Sequence, residues 1–205
     1  MTESTVPEVF IIESLHPGDP KEGEIIEKIL QMGKRKLIYR YVQTQTEFCS
    51  AIQEFVKSNY RYLHVSSHGS PEYFGFEFGE MYINQFHGFF YQHLRDKRVF
   101  ISACKLVNHQ DHVLANALLR DTGCYSVIGS YETINFDDAV MFWSNFYFLA
   151  YREQQTDRIK MSRSIVLKIL RELTGLYHLN INYYSISSSK EIKLTQIKDG
   201  KQKKI

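Results

Sequence analysis

Residues 61–69 read Arg-Tyr-Leu-His-Val-Ser-Ser-His-Gly, and residues 98–104 read Arg-Val-Phe-Ile-Ser-Ala-Cys. The apolar part of each is short, as in a strand buried on both faces, and each leads to a reactive side chain, His68 or Cys104. Working outward, 9–13 (Val-Phe-Ile-Ile-Glu) and 36–42 (Lys-Leu-Ile-Tyr-Arg-Tyr-Val) read the same way. Between them Ile25, Ile26, Ile29 and Leu30 recur at helical spacing until Gly33 stops the helix. Thr44 or Thr46 caps a second helix with the stripe Phe48, Ala51, Ile52, Phe55 and Val56. Strand and helix alternate through short links, which implies crossover units and a mostly parallel sheet with helices on both faces.

The third strand is expected over 61–66, with Ser67 to Pro71 as a loop. The segment 73–82 alternates around Gly79 and reads as a hairpin, and 84–95 as a helix. Residues 98–103 form the fourth strand, 112–120 a helix and 124–129 a fifth strand. Long helices follow from Asp137 or Asp138 to about Arg152 and from Arg158 to Leu173. The Ser- and β-branched-rich stretch 182–197 reads as one or two edge strands, and 198–205 as a flexible basic tail.

At 205 residues the chain suits one domain spanning 1–205. With 43% hydrophobic and 14% aromatic residues it is no disordered segment. Its net charge is +2, too low for a chain-wide nucleic-acid binder, and the positive charge concentrates in 190–205, where six Lys face Glu191 and Asp199. No direct nucleic-acid contact is expected. The three Cys follow no disulfide spacing, no signal peptide opens the chain, and no apolar run reaches 18 residues. The expectation is a cytoplasmic protein without a membrane contact.

In an open α/β sheet, reactive groups gather outside the carboxyl ends of the strands. If the third and fourth strands are neighbours, His68 and Cys104 meet there. A free thiol is only a few per cent thiolate at neutral pH, and a nearby imidazole raises that fraction, so this pair is the minimum for thiol nucleophilic catalysis. The amides of Gly69 and Cys104 are placed to donate to an oxyanion. Taken singly, Cys104 also reads as a buried small hydrophobe and His68 as a surface residue.

The run His64-Val-Ser-Ser-His68-Gly69, with Ser102-Ala103-Cys104 following, resembles the caspase-like cysteine peptidases, most of all their bacterial CHAT branch. Val127-Ile128-Gly129-Ser130, Asp138-Ala139 and Phe142-Trp143-Ser-Asn-Phe146-Tyr147 extend the resemblance, which runs from about residue 9 to 190. It implies a three-layer α/β fold with strand order 2-1-3-4 and then the fifth. It implies a His68/Cys104 dyad with Gly69 and Cys104 as oxyanion donors, and peptide hydrolysis through an acyl-enzyme without metal or cofactor. Cys104 is followed by Lys105-Leu106 rather than the Arg/Gln/Gly-Gly of animal caspases, so self-cleavage into two subunits is not implied. Relatives often carry sensor domains. Here regulation would fall to a separate activator or sensor protein, as in a partner-activated defence effector, or to the surface of the domain itself.

Such peptidases place a charged group beneath the residue before the scissile bond, often from the loop after the first strand. Here that loop offers Glu13, Asp19 and Glu22, which would favour Arg or Lys in the substrate. Glu22 also reads as a helix N-terminal charge, and Asp137 or Asp138 as a helix cap. Two further readings stand beside the peptidase. One is an inactive binding module using the same cleft. The other is a metal-dependent hydrolase using His64 and His68 with Cys104, His109 or His112. For His64 the bland alternative is a hydrogen-bonded core histidine, for Trp143 and its aromatic neighbours core packing.

Overall fold

The computed structural model describes residues 6–91, 93–108, 112–152, 161–187 and 189–205. In chain order the elements are β1 (Val6–Ser14), α1 (Glu22–Met32), β2 (Leu37–Tyr41), α2 (Gln45–Lys57), β3 (Tyr60–Gly69), β4 (Tyr73–Phe76), β5 (Gly79–Tyr82) and α3 (Ile83–Gly88). They continue with β6 (Arg98–Ser102), α4 (Val113–Asn116), a π-helical turn (Ala117–Asp121), β7 (Ser126–Ser130), α5 (Phe136–Arg152), α6 (Arg163–Tyr177), β8 (Ile181–Ile186), β9 (Ile192–Lys198) and β10 (Lys201–Lys204).

The main sheet runs β10-β9-β8-β7-β6-β3-β1-β2. From β2 to β7 every pair is parallel, and β8, β9 and β10 add on antiparallel. Counting the parallel strands alone, with β6 and β7 as fourth and fifth, this is the expected order 2-1-3-4-5. Alternate side chains leave opposite faces of each strand. Phe10, Ile12, Leu63, Val65, Val99 and Ile101 therefore pack with Phe48, Ile52, Phe55, Phe86 and Leu118 on one face. Val9, Ile11, Tyr62, Phe100 and Ile128 pack with Ile26, Phe142, Trp143, Phe146, Tyr147 and Val166 on the other. Two helical layers thus enclose the sheet. Thr44 caps α2 in a capping box with Glu47, as its Thr-x-x-Glu spacing predicts.

Several boundaries differ from expectation for local physical reasons. β3 does not stop at Ser66 but runs on through Gly69, because β4 turns back to pair His68 with Gly75 and Gly69 with Phe74. The helix expected over 84–95 ends at Gly88. Leu94 N–H bonds to Thr122 O, and Arg95 bridges to Cys124, which draws the segment across to the start of β7. Residues 158–160, expected to open the last long helix, lie outside the described residues. β8 and β9 are interior strands rather than edges. The outermost strand is β10, so the expected tail 198–205 is largely ordered: Asp199 and Gly200, both at positive φ, make the two-residue hairpin link between β9 and β10. Among the described residues no helix is long and apolar enough to cross a membrane.

Candidate active site

The carboxyl ends of β1, β3, β6 and β7 face one edge, where His68 meets Asp19 and Gly69 lies against Cys104. His68 Nε2 lies 2.8 Å from Asp19 Oδ2, in the loop leaving β1. The pair is neither buried nor fully solvated, with side chains 39% and 27% exposed, so the His68 ring is reached from solvent. Asp19 is oriented in turn by His16 N–H at 3.1 Å. The His68 ring stands near-perpendicular to Phe136, with ring centroids 5.6 Å apart, and has the His16 ring centroid at 5.1 Å. A carboxylate on Nε2 favours the tautomer that carries its hydrogen there, leaving the lone pair on Nδ1.

The strand after His68 is pressed onto Cys104. A Cβ on Gly69 would lie 2.9 Å from Ala103 Cβ, 2.9 Å from Cys104 O and 3.2 Å from Cys104 N, so only glycine lets the two chains approach this closely. Ser70 N–H bonds to Tyr73 O at 3.0 Å, which makes the neighbouring Gly69–Phe74 pair a non-hydrogen-bonded one. The Gly69 amide therefore points away from β4.

Cys104 is half-buried, and its Sγ lies 3.7 Å from Ile134 O in the loop leaving β7. The next residue, Lys105, sits at φ 60°, in the left-handed region that non-glycine residues seldom occupy. The turn is held by Lys105 N–H to Glu132 O and Val107 N–H to Ser130 O. Further on, Asn182 Nδ2 donates to Val107 O at 2.8 Å, Tyr184 O–H to Asn108 O at 2.7 Å, and His112 Nδ1 lies 2.9 Å from that hydroxyl. β8 thus anchors the loop that carries Cys104. The sequence reading missed Asn182 and Tyr184; paired polar groups at i and i+2 on an otherwise buried strand are the signal they carry.

The acidic pocket is not assembled as expected. Glu13 is fully buried, accepting from Gly23 N–H and from Tyr39 O–H, both at 2.7 Å. Burial pushes its carboxyl above the usual range. Glu22 is 2% exposed and faces the interior. Neither can line a pocket open to a substrate, and Asp19 is occupied by His68. All three carboxylates were expected from the loop after the first strand, but Glu13 lies inside β1 and Glu22 turns inward from the first turn of α1.

His64 is a core histidine, between Glu22 and Tyr147. His109 lies outside the described residues, and His112 is engaged with Tyr184. Among the described residues no three His, Cys, Asp or Glu side chains converge as a metal site.

No family profile and no curated protein matches the chain by sequence. Solved structures do match by shape. The Arg-specific cysteine proteinase gingipain R superposes with a TM-score of 0.56 at 12% identity, over 98% of this chain and 68% of that one. A complex of the pro- and mature domains of RgpB from Porphyromonas gingivalis gives 0.53 at 13% identity, over 98% and 70%. The sheet order, the helices on both faces and these likenesses together establish a caspase-like α/β fold.

Proposed function

We propose that the protein is a cysteine endopeptidase with Cys104 as nucleophile and His68 as its base and acid. The observation that supports this most directly is the joint placement of His68, held by Asp19, and Gly69, packed on the Cys104 backbone. His68 Nδ1 takes the Cys104 thiol proton. The thiolate can no longer donate to Ile134 O and is released to attack the substrate carbonyl carbon. The carbonyl π pair moves onto oxygen, where the Gly69 and Cys104 amides donate to the oxyanion. As the intermediate collapses, the C–N bond breaks and His68 gives its proton to the leaving amine. A water then delivers a proton to His68 and its hydroxide to the thioester carbonyl, and the acid product leaves as the thiol is restored. Asp19 holds the imidazolium in place throughout.

A protein or peptide is the substrate. The finer assignment, a CHAT-type effector switched by a separate activator protein, draws on the motif resemblance. That one similar structure pairs a mature proteinase domain with a pro-domain supports a proteinaceous regulator. The test is treatment with iodoacetamide and with a peptidyl acyloxymethyl ketone, alongside cleavage of labelled casein. Stoichiometric labelling of Cys104, lost in Cys104→Ala and slowed in His68→Ala, is expected. A labelled but catalytically inert Cys104 against every partner supplied would favour a binding module.

A further inference from the structure

Directly beneath the two reactive residues lies a buried polar network that the chemistry above does not use. One oxygen of Glu22, Oε1, lies 3.1 Å from His64 Nε2. The other, Oε2, accepts from Ser102 Oγ at 2.8 Å and from Ser66 Oγ at 3.4 Å. His64 is fully buried, and its Nδ1 lies 3.0 Å from the hydroxyl of Tyr147 on α5. One carboxylate therefore ties together α1, β3, β6 and, through His64, α5.

The position of this carboxylate matters more than its burial. Ser66 pairs with Ser102 in the last register pair shared by β3 and β6. Beyond that pair the regular ladder ends, β3 running on into the β4 hairpin and β6 into the turn at Cys104, with Gly69 still packed on Ala103 and Cys104. Ser66 stands two residues before His68, and Ser102 two before Cys104. The bridge across the two hydroxyls thus sits where the ladder ends, just before the segments that carry the imidazole and the thiol. We infer that Glu22 is a positioning residue: by clamping Ser66 to Ser102 it fixes the separation of His68 from Cys104, and so the reactivity of the thiol.

This inference rests on the cysteine-peptidase reading. A network that only filled the core would lower stability when broken and leave the chemistry of the folded protein alone. The test therefore measures chemistry on folded protein, well below the melting temperature. Two readouts serve: the rate of Cys104 alkylation by iodoacetamide, and kcat and KM on the best-cleaved member of a fluorogenic peptide library. Glu22→Asp withdraws the carboxylate by one methylene, so it cannot span His64 and Ser102 together. A displacement of about 1 Å at a reacting pair costs roughly a hundredfold, so kcat is expected to fall about that much, with KM within about twofold and alkylation at least ~10-fold slower. Ser102→Ala removes only the tie to β6 and should slow both rates about tenfold. Glu22→Gln keeps the length, accepts from Ser102 and donates to His64, and should restore most of the rate.

Wild-type alkylation and kcat in Glu22→Asp and Ser102→Ala, with only a lower melting temperature, would overturn the inference. Should Glu22→Asp fail to fold, Ser102→Ala decides alone, since a serine hydroxyl is a mild loss. His68→Ala separates the two readings. A thiol whose alkylation ignores His68 brings down the dyad and the clamp with it. A thiol that depends on His68 but ignores both clamp variants brings down the clamp alone.

Discussion

His64 and His68 stand four residues apart on β3, face the same side of it, and each meets a carboxylate from the stretch between Asp19 and Glu22. What differs is water. The His64–Glu22 pair has side chains 0% and 3% exposed, whereas His68 and Asp19 are 39% and 27% exposed. Inside, a charged or hydrogen-bonded pair has no solvent to fall back on, so it acts as a lock and breaking it is costly. At the edge the same pairing is worth little to the fold but orients a group that can still trade protons. One strand therefore carries a locked histidine and a solvent-reached one, told apart only by depth.

The sharpest way to break this comparison is to exchange the two losses. Cys104→Ala or His68→Ala should lower casein cleavage by at least ~10³-fold, with stability changed by less than ~0.5 kcal/mol in a denaturant titration. His64→Ala should instead lose ~3–5 kcal/mol in the same titration, because it takes the partner from Glu22 Oε1 and from the Tyr147 hydroxyl in the interior. Asp19→Asn sharpens the point. It should reduce kcat about a hundredfold equally on peptides ending in Arg, Lys or Asp, because Asp19 acts on His68. A loss confined to basic peptides would return Asp19 to the floor of a specificity pocket.

Depth should also sort the thiols. Burial pushes the Cys124 thiol up to about 12, so intact-mass analysis of iodoacetamide-treated protein near pH 7 should find Cys104 modified and Cys124 spared. Above pH ~8.5 the unfolded chain loses the Cys124 proton that the fold keeps. Stability should therefore fall as pH rises through that window, and less steeply in Cys124→Ala. The smallest effect is Tyr147→Phe, which strips one partner from His64 Nδ1 and should cost ~1–2 kcal/mol by thermal or chemical melting.

Much of the frame was legible in the chain itself. The parallel core follows from short apolar runs separated by amphipathic helices, and the adjacency of β3 and β6, which sets the segments of His68 and Cys104 at one edge, follows from the alternation of those elements. The hairpin link was written too, in Asp199-Gly200, but the lysines around it read as a solvated tail. The roles of Glu13, Asp19 and Glu22 were not legible, since a carboxylate near a strand end looks the same whether it turns inward or outward. Only the packing of Gly23 on Tyr39, Ile11 and Glu13 decides that α1 starts close enough to the sheet to carry Glu22 inside. Likewise Asn182 and Tyr184 gain meaning only once β8 lies beside β7.

The last hairpin bears on a different matter, how these molecules behave in a crowd. Without a covering neighbour, β9 would offer its unpaired backbone, backed by Leu194 and Ile197, to any other extended chain. β10 takes that place with Lys201, Gln202, Lys203 and Lys204, all exposed. Repelling positive charges along an outermost strand discourage edge-to-edge stacking of sheets. Deleting 199–205 should therefore yield a protein that still folds around its core yet precipitates as its concentration rises, visible as light scattering that grows with time and is suppressed by restoring the lysines.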